Sequence, residues 1–419
     1  MRSRISGKRL GLLLAAVGPG LIAAAADNDA GGITTYSLAG ARFGYSFLWV
    51  LILITFSLAI TQEMGARMAI VTGKGLGGLI RERFGAKWAA FAILVMLVAN
   101  LGTTIAEFAG IAISLRIFGV PVLISVPVAA LTIYLLIAKF DFRRVQQVFL
   151  LSGFLYLSYV VSGLLAKPDW SLALARTVQP SIPLTSTAYL LMFVATVGTT
   201  ITPWGQFFIQ SYIVDKRLNT EDLSYARADV YLGGFFTNFV AFFIIVACAA
   251  TIWAAGVRID PSASAAQLAV ALRPLAGRFA STLFAFGLLN ASLLGAAILP
   301  LTSSYAASET FGWEAGIDKR FREAPIFYGM FAFFIAVASV VVLLPGLPLL
   351  QIMFLPQVLN GMLLPVILIF VLKITNDRSV MGKYTNSRAF NAVAVLTAAV
   401  MIILTVLLLG LPLAARFAQ

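Results

Sequence analysis

The sequence predicts an all-α polytopic membrane protein, and three observations carry that prediction. Hydrophobic residues fill 60% of the 419 positions and charged residues 11%, with a mean hydropathy of +0.96. A soluble enzyme of this length carries far more charge on its surface. The apolar residues fall in repeated stretches long enough to cross about 30 Å of hydrocarbon, roughly 20 residues each. Two of those stretches, the first and the sixth, are interrupted by glycine, proline and polar residues.

The chain begins with Arg2, Arg4, Lys8 and Arg9 ahead of an apolar run, a pattern shared with cleaved signal peptides. Gly18-Pro19-Gly20 interrupts that run, and cleavage would discard half of the polar segment beyond it, so the start is read as a cytoplasmic anchor. The first stretch, about 11 to 38, contains Asp27-Asn28-Asp29-Ala30-Gly31-Gly32. A membrane-surface loop is the competing reading, but apolar helix-forming sequence continues on both sides, through Leu38-Ala39-Gly40 and on from Phe47. Charge at bilayer depth is costly, and unwound backbone is tolerated there only where protein buries it or a wet cavity borders it. The functional site is therefore expected at this break.

The next stretches are about 46 to 70, 89 to 115 (with Thr104 and Glu107), 120 to 138 and 145 to 166, followed by a loop from Lys167 to Pro183 with a short helix. The sixth, 187 to 213, carries Gly198-Thr199-Thr200-Ile201-Thr202-Pro203-Trp204-Gly205 at its middle. Then come 230 to 256, a second loop with short helices from Val257 to Arg278, 280 to 305, a mixed-charge linker from Glu309 to Arg322 read as solvated, 325 to 344, 349 to 373 (with Gln357 and Asn360) and 390 to 414. That makes eleven spans in a single transmembrane domain of residues 1–419. Spans one to five (about 11–166) and six to ten (about 187–373) are expected to be repeats, with 390–414 as an extra helix. Five spans per repeat invert the second copy, and a break in the first helix of each is a pattern found in transporters. A proline kink is the ordinary reading of the sixth span; its correspondence with the first shifts the balance.

With the N-terminus cytoplasmic and the C-terminus outside, 22 of the 30 basic residues lie in inside loops, as the positive-inside rule asks of a plasma-membrane protein. The net charge of +13 thus reflects topology and lipid headgroups, with no nucleic-acid partner. The chain has no His and one Cys, Cys248, which excludes an internal disulfide, His-ligated zinc and imidazole proton relays. Gly73-Lys74-Gly75-Leu76-Gly77-Gly78 lacks the spacing and the Lys-Ser/Thr end of a Walker motif, so no nucleotide drives the protein and no enzyme constellation is present. The membrane potential alone supplies about 4.6 kcal/mol per 100 mV for a divalent cation.

Gly18-Pro19-Gly20, then eight residues, then Asp29-Ala30-Gly31-Gly32, with Ala39-Gly40-Ala41, Phe43-Gly44-Tyr45-Ser46 and Val71-Thr72-Gly73-Lys74, resembles the start of the NRAMP divalent-metal transporters. The resemblance extends through Gly287-Leu288-Leu289 and Gln357 to Pro365. It implies a LeuT-type fold, alternating access and a midplane metal site. The departures are informative. The family's Asp-Pro-Gly-Asn reads Asp29-Ala30-Gly31-Gly32, its Met-Pro-His reads Thr202-Pro203-Trp204, its two His positions hold Trp204 and Ile209, and its acidic pair in the third span is reduced to Thr104 and Glu107. Loss of a thioether turns the site toward Mg²⁺, Ca²⁺ or Mn²⁺, and Mg²⁺ is typically held by one or two carboxylates through a partly hydrated shell. These features are similar to the prokaryotic NRAMP-related magnesium transporters, a branch that implies Mg²⁺ and Mn²⁺ uptake without proton coupling.

The expected metal residues are Asp29, Gly32, Thr199, Thr202 and Gln357, with Asp27, Asn360 and Glu107 as outer shell or vestibule. Each has a structural alternative: a packing role for Gly32, a bond from Thr199 or Thr202 back to its own turn, interhelical hydrogen bonds for Gln357 and Asn360, and a structural hydrogen bond or ion pair for Glu107. Trp204 is read as filling space. The leading expectation is a monomeric secondary carrier of Mg²⁺, and of Mn²⁺, with no cofactor. A proton-coupled Mn²⁺/Fe²⁺ transporter is the alternative. A sodium-coupled organic solute symporter fits less well, because anionic Asp29 would repel a substrate carboxylate, and a membrane sensor would need a soluble domain.

Overall fold

The computed structural model describes residues 18–140, 142–180, 186–257 and 265–417, which are helical and contain no strand. The basic start, the beginning of the first stretch and Pro183 lie outside the described residues. The first span is two helices, α1 (Pro19–Asp27) and α2 (Ala30–Phe43). A 3-10 turn leads from α2 into α3 (Leu48–Thr72), followed by the short α4 (Leu76–Phe84), α5 (Ala86–Ile117) and α6 (Val122–Lys139). The fifth span is α7 (Phe142–Leu155) and α8 (Leu157–Leu165), and α9 (Trp170–Val178) is the short helix expected in the loop after it. The sixth span is again divided, into α10 (Thr187–Thr200) and α11 (Pro203–Asp215). Then follow α12 (Leu223–Cys248), α13 (Ala265–Phe311), α14 (Pro325–Leu343), α15 (Leu349–Thr375), α16 (Arg378–Met381) and α17 (Arg388–Phe417).

Nine helical stretches among the described residues are long and apolar enough to cross a membrane, with α2 and α3 counted as one. They cover spans two to five and seven to eleven of the sequence reading. The first and sixth spans are divided at their polar breaks, and no half of either reaches that length on its own. Large apolar side chains such as Phe56, Leu94, Leu123, Leu151, Phe235 and Ile403 are exposed on the outside of the bundle, as a lipid-facing surface requires. One expectation is corrected: residues 265–278 are the first turns of α13, not part of a loop. The run Ala265-Ala266-Gln267-Leu268-Ala269-Val270-Ala271-Leu272 consists mostly of strong helix formers and continues the helix outward.

Both breaks follow from local chemistry. Asn28 leaves the helix at φ −89° and ψ 45°, and Asp29 is extended at φ −67° and ψ 179°, capping α2 by accepting from Gly32 N at 2.5 Å. At the second break Ile201 and Thr202 are non-helical, Pro203 takes the first helical position of α11, and Thr202 Oγ1 accepts from Gly205 N at 3.0 Å. Small residues let the divided helices approach their neighbours. A Cβ on Gly20 would lie 2.7 Å from the Val230 backbone of α12, and one on Gly198 would collide with the backbone of α15 at Gln357 and Gly361.

A buried ion pair ties three segments together at the end of α3. Arg67 Nε donates to both carboxylate oxygens of Glu63, at 3.1 and 3.2 Å, and Arg227 Nε of α12 donates to Glu63 Oε1 at 2.7 Å. Arg67 also donates to Tyr384 O and to Asn386 Oδ1. The 22 basic residues assigned to inside loops include Arg67, yet its side chain is 3% exposed and fully engaged. Removing one partner of such a pair strands the other charge. Glu63→Gln should destabilise the fold by about 3 kcal/mol, read as a lower melting midpoint in detergent. Arg227→Gln, whose side chain is 42% exposed, should cost far less.

Candidate metal site

The two breaks meet in the interior of the bundle. Tyr36 of α2 and Thr200 of α10 share a hydrogen bond of 2.6 Å between their hydroxyls, which fixes one divided helix against the other. Asp27, Asn28, Asp29, Thr199, Thr200, Thr202, Gln357 and Asn360 are all buried, none more than 1% exposed.

The first break is pinned from three sides. Asn28 Nδ2 donates to Thr237 O of α12 at 3.1 Å, and Thr237 Oγ1 donates to Ala24 O at 2.6 Å. Gln62 Nε2 of α3 donates to Asp27 Oδ2 at 3.1 Å. At the far end of α1, Asp229 accepts from Gly20 N at 2.6 Å and from Leu21 N at 3.2 Å, a cap supplied from 209 residues away. None of Gln62, Asn28, Thr237 or Asp229 was among the expected site residues. Gln62 carried a signal, a carboxamide inside an apolar stretch; the Thr237 and Asp229 contacts depend on chain pairings that no local pattern reveals.

Around Gly32 three oxygens converge. A Cβ there would lie 2.9 Å from Asp27 O, 3.1 Å from Thr199 Oγ1 and 3.3 Å from Asp29 Oδ1. Asp29 Oδ2 and Thr199 Oγ1 have no hydrogen-bond partner. Gly32 itself offers its N–H to Asp29, and its lack of a side chain lets these oxygens approach one another. Thr202 belongs to a neighbouring cluster: a Cβ on Gly205 would lie 2.7 Å from Thr202 Oγ1, 3.7 Å from Asp27 Oδ1 and 4.0 Å from Gln62 Nε2. Its hydroxyl is engaged as the cap of α11, while that of Thr199 is open.

The opposite wall is α15. Gln357 lies so close to the first turn of α2 that any side chain on Gly31 would collide with its carboxamide. Gln357 Oε1 accepts from Asn360 Nδ2 at 3.2 Å, Asn360 Nδ2 also donates to Thr103 Oγ1 at 3.2 Å, and Gln357 Nε2 and Asn360 Oδ1 are unpartnered. Glu107 reaches the same helix end from α5. Its Oε2 accepts from Ala30 N at 3.1 Å, its Oε1 is unpartnered, and Asp29 and Glu107 thus share the N-terminal turn of α2, where backbone N–H groups favour negative charge. Thr104 bonds back to Asn100 O at 2.7 Å. Trp204 is buried, packed edge-to-face on Phe208. Among the described residues no three Asp, Glu or Cys side chains converge on one point. The donors that face the break are carboxylate, hydroxyl, carbonyl and carboxamide, a set suited to hard cations.

The chain matches the Nramp family, described as natural resistance-associated macrophage protein-like, over residues 20–411. It is 31% identical over 414 residues to the divalent metal cation transporter MntH of Verminephrobacter eiseniae, covering 95% of this chain and 90% of that one. The crystal structure of the Eremococcus coleocola manganese transporter superposes with a TM-score of 0.73 at 20% identity, covering 94% of this chain and 86% of that one. MhsT in complex with L-phenylalanine gives a TM-score of 0.55 at 16% identity over 97% of this chain and 98% of that one. The fold is accordingly LeuT-type, as the sequence reading expected.

Proposed function

The chain belongs to the Nramp family of membrane transporters, and from that premise we propose that it moves divalent metal cations across the membrane, holding them at the break between α1 and α2. One observation carries the reading: the Asp29 carboxylate, whose Oδ2 is unpartnered, the unpartnered Thr199 Oγ1 and the Asp27 carbonyl all close around Gly32. Asp29 supplies the charge, Thr199 and the Asp27 carbonyl neutral oxygens, and Gln357 a carboxamide from the far wall. Asp27, Thr202 and Gln62 border the cation's approach, and Asn360 orients Gln357. The repeats at about 11–166 and 187–373 rock around this point, the helix at 390–414 packs outside them, and the chain works as a monomer in the plasma membrane with its N-terminus cytoplasmic and its C-terminus outside.

Mn²⁺ is the first substrate of this reading, since the relatives are named for manganese or divalent cations and oxygen ligands suit it. Mg²⁺ is the second, favoured by the site's own composition: Thr202 stands where a thioether would select softer ions, and Mg²⁺ is usually held by one or two carboxylates and several waters. Coupling turns on Glu107. The lost His positions argue for uncoupled transport, whereas the buried Glu107 carboxylate, which has a free oxygen and accepts from the backbone N–H of Ala30 next to Asp29, is a group that could carry a proton in exchange.

Uptake by purified protein in liposomes, with Mn²⁺, Mg²⁺ and pH dyes inside, tests these points together. Asp29→Ala should abolish entry of both cations while leaving the protein folded; normal entry would overturn the site. Gly32→Ala should weaken cation binding by about tenfold, since its methyl group displaces one oxygen, equivalent to about 1.4 kcal/mol. Thr202→Met should raise Cd²⁺ entry relative to Mg²⁺, and unchanged selectivity would remove Thr202 from the ion's path. Entry with acidification that Glu107→Gln abolishes means proton coupling; entry without acidification in either protein means a potential-driven carrier.

A further inference from the structure

Below the break, α11 carries buried polar side chains that the fold leaves unsatisfied. Gln206 and Gln210 are one turn apart, both are fully buried, and neither carboxamide has a hydrogen-bond partner for its oxygen or its nitrogen. Leucine would fill either position without that penalty, and buried polar groups normally have a partner. Their packing is close: Gly65 of α3 faces Ile209, Gln206 O and Gln210 Cγ, so α3 and α11 approach across a glycine. Gln62, one turn before Gly65, ends at Asp27 of the break, and its own Oε1 is also unpartnered.

One residue past Gln210, Ser211 faces the carboxylate of Glu309 on α13. The sequence reading assigned Glu309 to a solvated linker. The structure instead makes it part of a helix that runs to Phe311, with Oε2 buried and unpartnered. The glycine run after α3 lies on top of it: any side chain at Gly75 would collide with the Glu309 carboxylate, and one at Gly77 with Thr310. From Thr202 to Ser211 the helix rises about 13 Å. Over that length the amides of Gln206 and Gln210 lead from an acidic break to a covered carboxylate.

We propose that this line is the release route for the transported cation: Gln206 and Gln210 accompany the partly hydrated ion along α11, and Glu309, capped by the Gly73–Gly78 segment, is a second, transient divalent-cation station at the cytoplasmic end. The inference rests on the transport reading above. Carboxamide and carboxylate oxygens suit hydrated Mn²⁺ or Mg²⁺, and an unpaired carboxylate at the exit offsets the attraction of Asp29 without trapping the ion.

The test uses full-length protein with Gln206→Leu plus Gln210→Leu, and separately Glu309→Gln. Equilibrium Mn²⁺ binding in detergent should be retained in both variants, while liposome uptake falls by at least about tenfold. The leucine variant should melt at the same temperature as the wild type or higher, because it removes unsatisfied polar groups. Wild-type uptake in both variants overturns the route. A leucine variant that melts lower, with uptake reduced only in proportion to folded protein, shows that the amides are structural and overturns it as well. A wild type that neither binds nor carries Mn²⁺ or Mg²⁺ defeats the transport reading first, and the route with it. In a second measurement, Gln210→Cys in open liposomes should react with a membrane-impermeant thiol reagent and be protected by Mn²⁺, against a low background because the native thiol, Cys248, is buried. A thiol that stays unreactive during turnover contradicts the route.

Discussion

The structure depends on keeping a carboxylate, and a stretch of backbone without helical hydrogen bonds, at the centre of a membrane bundle. In hydrocarbon neither can be left to solvent, so the surrounding helices are built to hold them. The N-terminal turn of α2 receives Asp29 and Glu107, Asn28 and Thr237 fasten the unwound residues to α12, and Gln62 holds Asp27. Glycines where α1 meets α12 and where α10 meets α15 bring backbones close enough for those bonds to form. The same arrangement leaves Asp29 Oδ2 and Thr199 Oγ1 without hydrogen-bond partners.

Much of this was legible in the sequence because it is written locally. Apolar stretches, the positions of both breaks and the polar residues on them are patterns within single segments, so Asp29, Thr199, Gln357, Asn360 and Glu107 could be singled out before any helix was placed. What was not legible involves pairings across the chain. Asp229 capping α1, Thr237 gripping Asn28 and Arg67 turning inward to Glu63 each join residues far apart in sequence or reverse an expectation drawn from charge alone. The distinction between Thr199, whose hydroxyl is open, and Thr202, whose hydroxyl caps α11, depends on side-chain direction, which two threonines in one break do not announce. Glu309 was misplaced for a related reason: the charged residues that follow it, Glu314, Lys319, Arg320 and Arg322, are exposed, while its neighbours in space are Gly75 and Ser211.

Family membership and site composition bear on different questions. Membership explains the divided helices and the divalent substrate class. The local chemistry bears on which ions would bind well, since the donors at the break are carboxylate, hydroxyl, carbonyl and carboxamide, which suit hard cations, with no thioether to favour soft ones. The chain has no His, so the titratable groups at this break are the carboxylates Asp27, Asp29 and Glu107.

The central claim is that the cation sits at the break in the first span. Anomalous diffraction from crystals of the purified protein grown with Mn²⁺ tests it most directly. The account predicts a peak between the Asp29 carboxylate, Thr199 Oγ1 and the Asp27 carbonyl, lost on adding excess Mg²⁺. A Mn²⁺ peak elsewhere in the bundle with none at this break would contradict it.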